Sequence, residues 1–260
     1  MPIEGIDINR CSLCKCCIKE CPRGNYGFIS EEKKIFFDSS QNCILCGHCI
    51  AVCPEEAIIY TDMYDQALEF KELNISISNE ELNQLLRLKR SIRQYKNKQI
   101  PKEIIEKIID CMKCAPTAMN KRSLECLVIS SVYKINELID SIIEAIEDEV
   151  EHEEYIKKRE EGIDPFFHNA PHILIFHSDN KWDSTNATIA ITYGMLYAAA
   201  LDLGSCWIGG VQVFLNANKE IKKRVLGIVD EIFGIMIIGI PEVRYYRAPP
   251  RPPIKTEFIS

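Results

Sequence analysis

The sequence has no long hydrophobic run, no excess of positive charge and no enrichment in glycine or proline. The longest mainly apolar stretch, residues 189–201, is shorter than the roughly 20 residues that cross a bilayer, so we expect no membrane span. The net charge of −7 disfavours binding to nucleic acid. With 12 glycines and 12 prolines among 260 residues, of which 47% are hydrophobic, collagen-like and disordered classes are excluded.

Cysteine is the residue in excess, and its 13 copies are distributed unevenly. Nine lie within the first 53 residues, whereas Cys111, Cys114, Cys126 and Cys206 are scattered over the rest. A secreted disulfide scaffold is small and carries cysteines along its whole length. The first residues also lack the charged and apolar pattern of an export signal. We therefore expect a cytoplasmic protein whose clustered thiols bind metal.

The clustered cysteines form two copies of one run, C-x2-C-x2-C-x3-C-P, which is the spacing of bacterial ferredoxins. Three closely spaced thiolates can wrap around three iron atoms of a cubane, whereas the fourth points away and completes the other cluster. The predicted ligands of cluster one are Cys11, Cys14, Cys17 and Cys53. The predicted ligands of cluster two are Cys43, Cys46, Cys49 and Cys21.

Two zinc sites are the alternative interpretation of these runs. Zinc sites pair C-x2-C units, often with histidine, and two complete four-cysteine runs each closed by proline favour iron–sulfur clusters instead. Cys16 is outside the pattern, and His48 is expected to lie either behind the ligands or at the surface, and not to bind a cluster. Residues 1–60 resemble the bacterial two-cluster ferredoxins, which implies one-electron transfer at low potential.

The pattern changes after residue 60, and we predict a connector over residues 61–79 and a second domain over residues 80–260. The connector contains a short alternation of apolar and polar residues at Leu73–Ile77. Ser78 and Glu81 predict a capping box at the start of a helix. Further helices are predicted from Pro101 and over residues 135–161, 185–203 and 216–226. Strands are predicted over residues 124–131, 172–177 and 233–240. Because helices outnumber the short strands, we predict an α+β domain whose sheet is covered by helices, following a small ferredoxin-like domain.

Four segments of the second domain suit a flavin nucleotide, although each also has an ordinary interpretation as a turn or surface loop. Residues 89–93 place three cations and a hydroxyl where they could bind a phosphate monoester, or form a solvated basic patch at a helix end. The turn at residues 115–120 offers backbone amides and a side-chain amide to a planar ring. Paired glycines in residues 204–210 let a flat ligand approach the backbone. The tail at residues 244–251 could supply another guanidinium.

In this order, the four segments resemble the nitroreductase family of FMN enzymes over residues 80–260. The resemblance implies that the first segment and a late arginine hold the phosphate, that the second reaches the flavin of the partner subunit, and that the third lies beside the isoalloxazine ring. The residues assigned to FMN in this way are Lys89, Arg90, Ser91, Arg93, Pro116, Thr117, Ala118, Asn120, Ile208, Gly209, Gly210 and Arg251. Arg247 is a weaker candidate for the late arginine. The chain departs from the family at Lys89, where arginine is common, and at Arg122 and Ser123, where many members have Gln-Pro.

The two resemblances together predict an iron–sulfur flavoprotein oxidoreductase that acts as a homodimer. Electrons would pass from two 4Fe-4S clusters to FMN and on to a small conjugated acceptor such as a nitroaromatic or a quinone. The donor would be reduced ferredoxin or NAD(P)H. We assign no catalytic side chain, because the organic step belongs to the cofactor. Two alternatives remain open: a flavin domain fed by NAD(P)H that exports electrons through its ferredoxin domain, and a non-enzymatic electron carrier or redox sensor.

Overall fold

The computed structural model of the chain describes residues 2–61, Ala67 and residues 77–259. The chain divides into two compact units, one formed by Met1–Ser76 with Ala118–Lys121 and the other by Ile77–Thr117 with Arg122–Ser260. Most of the predicted connector, including nearly all of the alternation at Leu73–Ile77, lies outside the described residues. Within the part of the chain that the structure describes, no helix is long and apolar enough for a bilayer crossing.

The N-terminal unit is an internal repeat in which each copy contains a strand, a cysteine loop, a short helix and a second strand. The elements of the first copy are β1 (Ile3–Ile6), α1 (Cys16–Glu20) and β2 (Tyr26–Ile29). The elements of the second copy are β3 (Lys34–Phe37), α2 (His48–Val52) and β4 (Ile58–Tyr60). The strands β1 and β4 form one antiparallel pair and β2 and β3 form the other. The first strand of each copy therefore pairs with the last strand of the other copy.

The C-terminal unit has a four-stranded antiparallel sheet with helices on both faces. Its helices are α3 (Asn79–Leu88), α4 (Lys102–Met112), α5 (Val132–Glu144), α6 (Glu149–Glu160), α7 (Asp183–Ala200), α8 (Gly209–Ala217) and α9 (Lys219–Leu226). Its strands are β5 (Glu125–Ile129), β6 (His172–Ser178), β7 (Gly204–Trp207) and β8 (Glu231–Gly239), and their order in the sheet is β5-β6-β8-β7.

The core of this unit lies on the two faces of the central strands β6 and β8, which are almost entirely buried. On β6, Ile173 and Ile175 pack with residues of α5, α8 and α9, whereas Leu174 and Phe176 pack with residues of α4 and α7. This alternation is expected for a strand covered on both faces. The arrangement confirms the predicted α+β domain with a helix-covered sheet.

The predicted helix start at Ser78 is confirmed in atomic detail. Its hydroxyl accepts a hydrogen bond from the Glu81 amide at 3.2 Å, and the Glu81 carboxylate accepts one from the Ser78 amide at 2.9 Å. Pro101 likewise stands immediately before α4, where its missing N–H is not needed. Both signals are local in sequence, which explains why they could be predicted.

The single helix predicted over residues 135–161 is wrong, because the structure has two helices there. The first, α5, ends at Glu144 and buries one face in the core. A new helix begins after Asp148, whose carboxylate accepts a hydrogen bond from the Glu151 amide at 2.8 Å. The second helix, α6, buries none of its residues. Asp148 is therefore the N-cap of α6, although its sequence position also fits a continuous polar helix face.

The helix predicted over residues 216–226 is also wrong in its bounds, since α8 and α9 are separated at Asn218. Asn218 leaves the helical conformation, with φ −101° and ψ 71°, and its side-chain amide donates to the Phe214 carbonyl at 2.9 Å. Sequence analysis also missed α8 itself and the strand β7, having treated residues 204–210 as an irregular segment. The four residues of β7 pair with β8 and so depend on a distant partner strand.

Candidate cofactor sites

The N-terminal unit contains two cavities, and four cysteines line each of them. The first cavity is lined by Cys11, Cys14, Cys17 and Cys53. The second cavity is lined by Cys21, Cys43, Cys46 and Cys49. Each set takes three cysteines from one run and the fourth from the other run. These are the same two sets that the spacing predicts for cluster one and cluster two, and we use those names for the two sites below.

The cysteine loops owe their curvature to left-handed backbone at alternate positions. In the first loop Leu13 and Lys15 have φ values of 59° and 63°, and in the second loop Leu45 and Gly47 have values of 53° and 73°. Side chains other than glycine rarely adopt this conformation, since it costs about 1–2 kcal/mol per residue. Alternation of this kind brings backbone N–H groups to one concave side, where they can face an anionic cluster.

The fourth cysteine of each run receives a backbone hydrogen bond from the loop that follows it. The Asn25 amide donates to the Cys21 sulfur at 3.3 Å, and the Ala57 amide donates to the Cys53 sulfur at 3.2 Å. A donor to sulfur favours the thiolate form that binds iron. The two equivalent bonds show that the repeat extends to the surroundings of the ligands.

Burial affects the protonation of two of these cysteines. Burial raises the pKa of Cys17 to about 11 and also raises the pKa of Cys49 above its ordinary value. A cation such as iron favours the thiolate form of a buried cysteine, because it takes the place of the proton. Four cysteine sulfurs in an otherwise largely apolar cavity are the donor set of a 4Fe-4S cluster, so the residues present fit this group.

Two further observations concern residues near these cavities. Cys16 lies outside both lining sets, whereas His48 lies on the wall of the cluster-two cavity. Within the described ranges, no group of three or more Cys, His, Asp and Glu side chains has the geometry to hold a single metal ion. In a cubane each thiolate binds a different iron atom, so the ligands surround the cluster and do not converge on one ion.

Tyr26 is a residue of the cluster-two cavity that sequence analysis missed. Its side chain is buried, and no partner in the part of the chain that the structure describes meets its hydroxyl with full hydrogen-bond geometry. Burial, and next the neighbouring Cys49 side chain, raise the pKa of Tyr26 above its ordinary value, so the hydroxyl keeps its proton. The sequence signal that could have revealed it is its place in the repeat, where the other copy has Ile58.

In the C-terminal unit the basic segment predicted to bind phosphate lies against the edge of the sheet. Ser91 pairs with Ser205 of β7, and the Ile92 amide donates to the Ser205 carbonyl at 3.1 Å. A Cβ atom on Gly204 would lie 2.8 Å from the Ile92 side chain, so only glycine allows this close approach. Packing of Ile92 on Gly204 therefore determines where the flanking cations lie.

Within the described ranges, none of the three cations of this segment pairs with an acidic side chain. Lys89 is half-buried, and its Nζ atom lies 3.7 Å from the Met195 sulfur. Burial, with the nearby Arg90 charge, lowers the pKa of Lys89. None of Lys89, Arg90 and Arg93 forms an ion pair with a carboxylate of the described residues. Cations held at the surface of the sheet without counter-ions suit the phosphate of a nucleotide.

Residues 208–210 continue directly from the same strand. The Ile208 amide donates to the Ile235 carbonyl at 2.8 Å, and α8 begins at Gly209. A Cβ atom on Gly210 would meet no described atom within 4 Å, and one on Gly209 would meet only the Trp207 ring at 3.7 Å. Packing within the chain therefore does not require either glycine. Because β7 carries Ser205 and ends at Trp207, the structure brings the first and third candidate segments to one strand. The residues there fit FMN by their chemistry.

The second candidate segment, Pro116–Asn120, is placed differently. Thr117 accepts a hydrogen bond from the Arg122 amide at 3.4 Å, and Met119 and Asn120 are left-handed. Ala118–Lys121 belong by their contacts to the N-terminal unit, where the Asn120 side-chain amide donates to the carbonyls of Ile44 and Leu45 at 2.9 and 2.8 Å. Sequence analysis did not anticipate these bonds, because backbone acceptors leave no signature in sequence.

Arg251 is the candidate that the structure does not bring to the others. It is exposed within a C-terminal segment, residues 244–259, that is exposed throughout and has no helix or strand. No hydrogen bond or ion pair joins Arg251 to any other described residue. Arg247 is exposed in the same segment. The assignment of a late arginine to the phosphate stays a prediction.

Comparison with known proteins gives a family match for each part of the chain. The model of the nitroreductase family matches residues 86–240, and the model described as a 4Fe-4S dicluster domain matches residues 4–74. A "Putative NADH dehydrogenase/NAD(P)H nitroreductase" of Methanothermobacter thermautotrophicus is 23% identical over 176 residues, which are 64% of this chain and 80% of that protein. An uncharacterized ferredoxin of Methanocaldococcus jannaschii is 42% identical over 59 residues, which are 22% of this chain and 39% of that protein. These matches confirm both resemblances seen in the sequence.

Two solved structures are similar in fold. A nitroreductase with bound FMN from Desulfitobacterium hafniense has a TM-score of 0.55 at 19% identity, covering 71% of this chain and 100% of its own. A nitroreductase with bound FMN from Bacteroides fragilis has a TM-score of 0.55 at 21% identity, covering 69% of this chain and 97% of its own. Identity this low shows likeness of fold alone.

Proposed function

The chain belongs to the nitroreductase family, and from this membership we propose that it passes electrons from two 4Fe-4S clusters through FMN to a small conjugated acceptor. It is an FMN-dependent oxidoreductase with an N-terminal 4Fe-4S dicluster domain. A nitroaromatic or a quinone is the class of acceptor that we propose. The observation that carries the proposal is that one chain combines two complete four-cysteine cavities with an unpaired basic segment on the sheet of a nitroreductase fold.

The cofactors supply chemistry that the side chains lack, since bound clusters carry single electrons and bound FMN exchanges one electron or two. The chain contributes binding and electrostatics. Lys89, Arg90 and Arg93 would neutralise the phosphate, and Ser91 would donate a hydroxyl to it. Gly209 and Gly210 would allow the ring to approach the start of α8, where unpaired amides favour developing negative charge. We assign no side chain as a nucleophile.

A homodimer is part of the proposal, because the resemblance to the nitroreductase family implies that the second segment reaches the flavin of a partner subunit. The chain also exposes large apolar side chains that a second copy would cover. On α7, Tyr193 and Tyr197 are exposed, and on the C-terminal segment Ile254 and Phe258 are 90% and 91% exposed. No disulfide joins any of the described cysteines, which suits a reducing compartment such as the cytoplasm.

A second direction of electron flow is favoured by the name of the Methanothermobacter relative, which includes NADH dehydrogenase and NAD(P)H nitroreductase. In this alternative, NAD(P)H reduces the flavin and the dicluster domain exports electrons to a carrier protein. The same residues bind the same cofactors in both directions. The two candidates therefore differ in electron donor and not in site.

The proposal is tested on full-length protein purified without oxygen. We expect about eight iron atoms per chain, since each cubane holds four, and about one FMN. Turnover of a quinone or nitroaromatic with reduced ferredoxin as donor supports flow from the clusters. Reduction of an added ferredoxin by NAD(P)H supports the alternative. Zinc in place of iron, or protein without flavin after supply of FMN, would contradict both.

A further inference from the structure

The two halves of the ferredoxin repeat differ in the residues that follow the fourth cysteine. The first copy reads Cys-Pro-Arg-Gly-Asn-Tyr at residues 21–26, and the second reads Cys-Pro-Glu-Glu-Ala-Ile at residues 53–58. Because Cys21 lines the cluster-two cavity and Cys53 lines the cluster-one cavity, each sequence lies beside a different cluster. The two clusters therefore have unlike surroundings in a domain whose backbone is nearly symmetric.

Two buried polar side chains distinguish the cluster-two cavity, since Asn25 and Tyr26 stand where the other copy has Ala57 and Ile58. The Asn25 side-chain amide already donates to the Asp38 and Gln41 carbonyls, which leaves the hydroxyl of Tyr26 as the donor to consider.

Tyr26 is 6% exposed and lines the cluster-two cavity. No partner among the described residues meets its hydroxyl with full hydrogen-bond geometry, and the side chain that interacts with it is that of Cys49, a predicted ligand of cluster two. Ile58, its counterpart at the cluster-one cavity, is 7% exposed and has no polar atom in its side chain. A buried hydroxyl without a partner is unfavourable, and a cluster sulfur is an acceptor that would satisfy it.

The charged residues on the walls of the two cavities also differ, and they too favour an added electron on cluster two. Arg23 lies on the wall of the cluster-two cavity, and its counterpart Glu55 lies on the wall of the cluster-one cavity. Two cations near cluster one are engaged elsewhere, since Arg10 pairs with Glu56 at 2.8 Å and the Lys15 ammonium lies 3.9 Å from the centre of the Phe28 ring. Arg23 and Glu55 are both exposed, so solvent and salt reduce their effect relative to that of the buried hydroxyl.

We propose that the Tyr26 hydroxyl donates a hydrogen bond to a sulfur of cluster two and makes cluster two the better electron acceptor of the pair. Reduction adds one negative charge to a cluster, and a donor to sulfur stabilises the reduced form. One electron then leaves cluster one and enters cluster two, and no proton or other reactant is consumed. This inference rests on the proposed function, since it requires both clusters to be present.

The experiment is a potentiometric titration of the full-length, cluster-loaded protein, followed by electron paramagnetic resonance. The wild type should show two resolved midpoints. Tyr26→Phe removes only the hydroxyl and should lower the higher midpoint, leaving the lower midpoint in place. The equilibrium distribution of one electron between the two clusters should change about tenfold, which corresponds to a midpoint shift of about 59 mV. Tyr60→Phe is the matched control, because Tyr60 is in the same unit and lines neither cavity, and it should move neither midpoint.

A pair of charge variants keeps the inference testable if Tyr26→Phe loads poorly. Arg23→Gln should lower the same midpoint as Tyr26→Phe, and Glu55→Gln should raise the other one, each by less because both residues are exposed. A single unresolved midpoint in the wild type, or a Tyr26→Phe shift of the lower midpoint, would overturn the inference. Protein with full iron and flavin but unmoved midpoints refutes this inference alone, whereas protein without iron refutes the proposed function as well.

Discussion

The two units hold their candidate cofactor residues in different ways. In the N-terminal unit the ligands come from two short runs of chain, and the backbone bends sharply to point them inward. In the C-terminal unit the candidate residues come from segments more than a hundred residues apart, and one edge strand brings two of those segments together. A site of the first kind is fixed by covalent spacing, whereas a site of the second kind depends on packing between distant segments. Substitutions should therefore affect the two units by different routes.

The largest effect is expected from removing a cluster ligand. Cys17→Ala should lower the iron content from about eight atoms per chain to about four or fewer, because Cys17 lines the cluster-one cavity and is buried. Turnover fed through the clusters should be lost, while dithionite still reduces FMN. Iron analysis and stopped-flow absorbance measure both results.

The adjacent residue provides the control for this prediction. Cys16 lines neither cavity, so Cys16→Ala should keep its full iron content and its turnover. If Cys16→Ala and Cys17→Ala lost iron equally, the spacing of the cysteines would not determine which of them bind the cluster.

The next effect tests the phosphate site of the C-terminal unit. Arg93→Ala should remove a charged hydrogen bond, which is worth about 1.5–3 kcal/mol, and so weaken FMN binding about tenfold to a hundredfold. The dissociation constant is measured by quenching of flavin fluorescence. Lys98→Ala removes another exposed cation of the same connecting segment and should leave the affinity unchanged. Equal FMN affinity of Arg93→Ala and the wild type would show that the phosphate does not bind at this segment.

A pair of glycine substitutions separates packing from ligand contact. Gly204→Ala should destabilise the protein by about 1–3 kcal/mol through overpacking, because the new methyl group meets Ile92 at 2.8 Å. Gly210→Ala meets no atom of the chain, so its stability should stay within about 0.5 kcal/mol of wild type, while FMN affinity falls. Thermal unfolding and flavin binding measure the two effects. Undiminished FMN affinity in Gly210→Ala would show that the ring does not approach α8.

The smallest effect concerns pH. Burial holds the pKa of Lys89 below its ordinary value, and only its protonated form attracts phosphate. As pH rises through this lowered pKa, FMN affinity should fall earlier than it would with an exposed lysine. Lys89→Arg keeps its charge throughout and should remove this part of the pH dependence. A pH profile of FMN binding that is identical in wild type and Lys89→Arg would exclude Lys89 from the phosphate site.

Sequence alone predicted the parts of the molecule that depend on local spacing. The three closely spaced cysteines of each set and the capping box at Ser78 follow from residues that are close in the chain, and so does the start of α4 after Pro101. The fourth cysteine of each set comes from the other run, and the repeat of the two runs predicts it. The strand β7 could not be predicted, because its four residues need β8 as a partner. The break after Glu144 was not predicted, because an aspartate at position 148 fits the polar face of a continuous helix as well as it fits an N-cap.

The candidate sites divide along the same line. Position in the repeat predicts the ligands, but the missing partner of the Tyr26 hydroxyl emerges only when side chains from several elements are seen together. Likewise the basic segment is visible in sequence, whereas its attachment to Ser205 through the packing of Ile92 on Gly204 is not.

The crossed strand pairing of the N-terminal unit has a consequence for how this domain can arise and fail. Each copy supplies the other with a pairing strand, in the pairs β1–β4 and β2–β3, and with the fourth cysteine of its cavity, in Cys21 and Cys53. A fragment with one copy would have strands without their pairing partners and only three of the four cysteines that line each cavity. A substitution that disrupts one copy should therefore also disrupt the other, so the two copies should keep or lose their structure together.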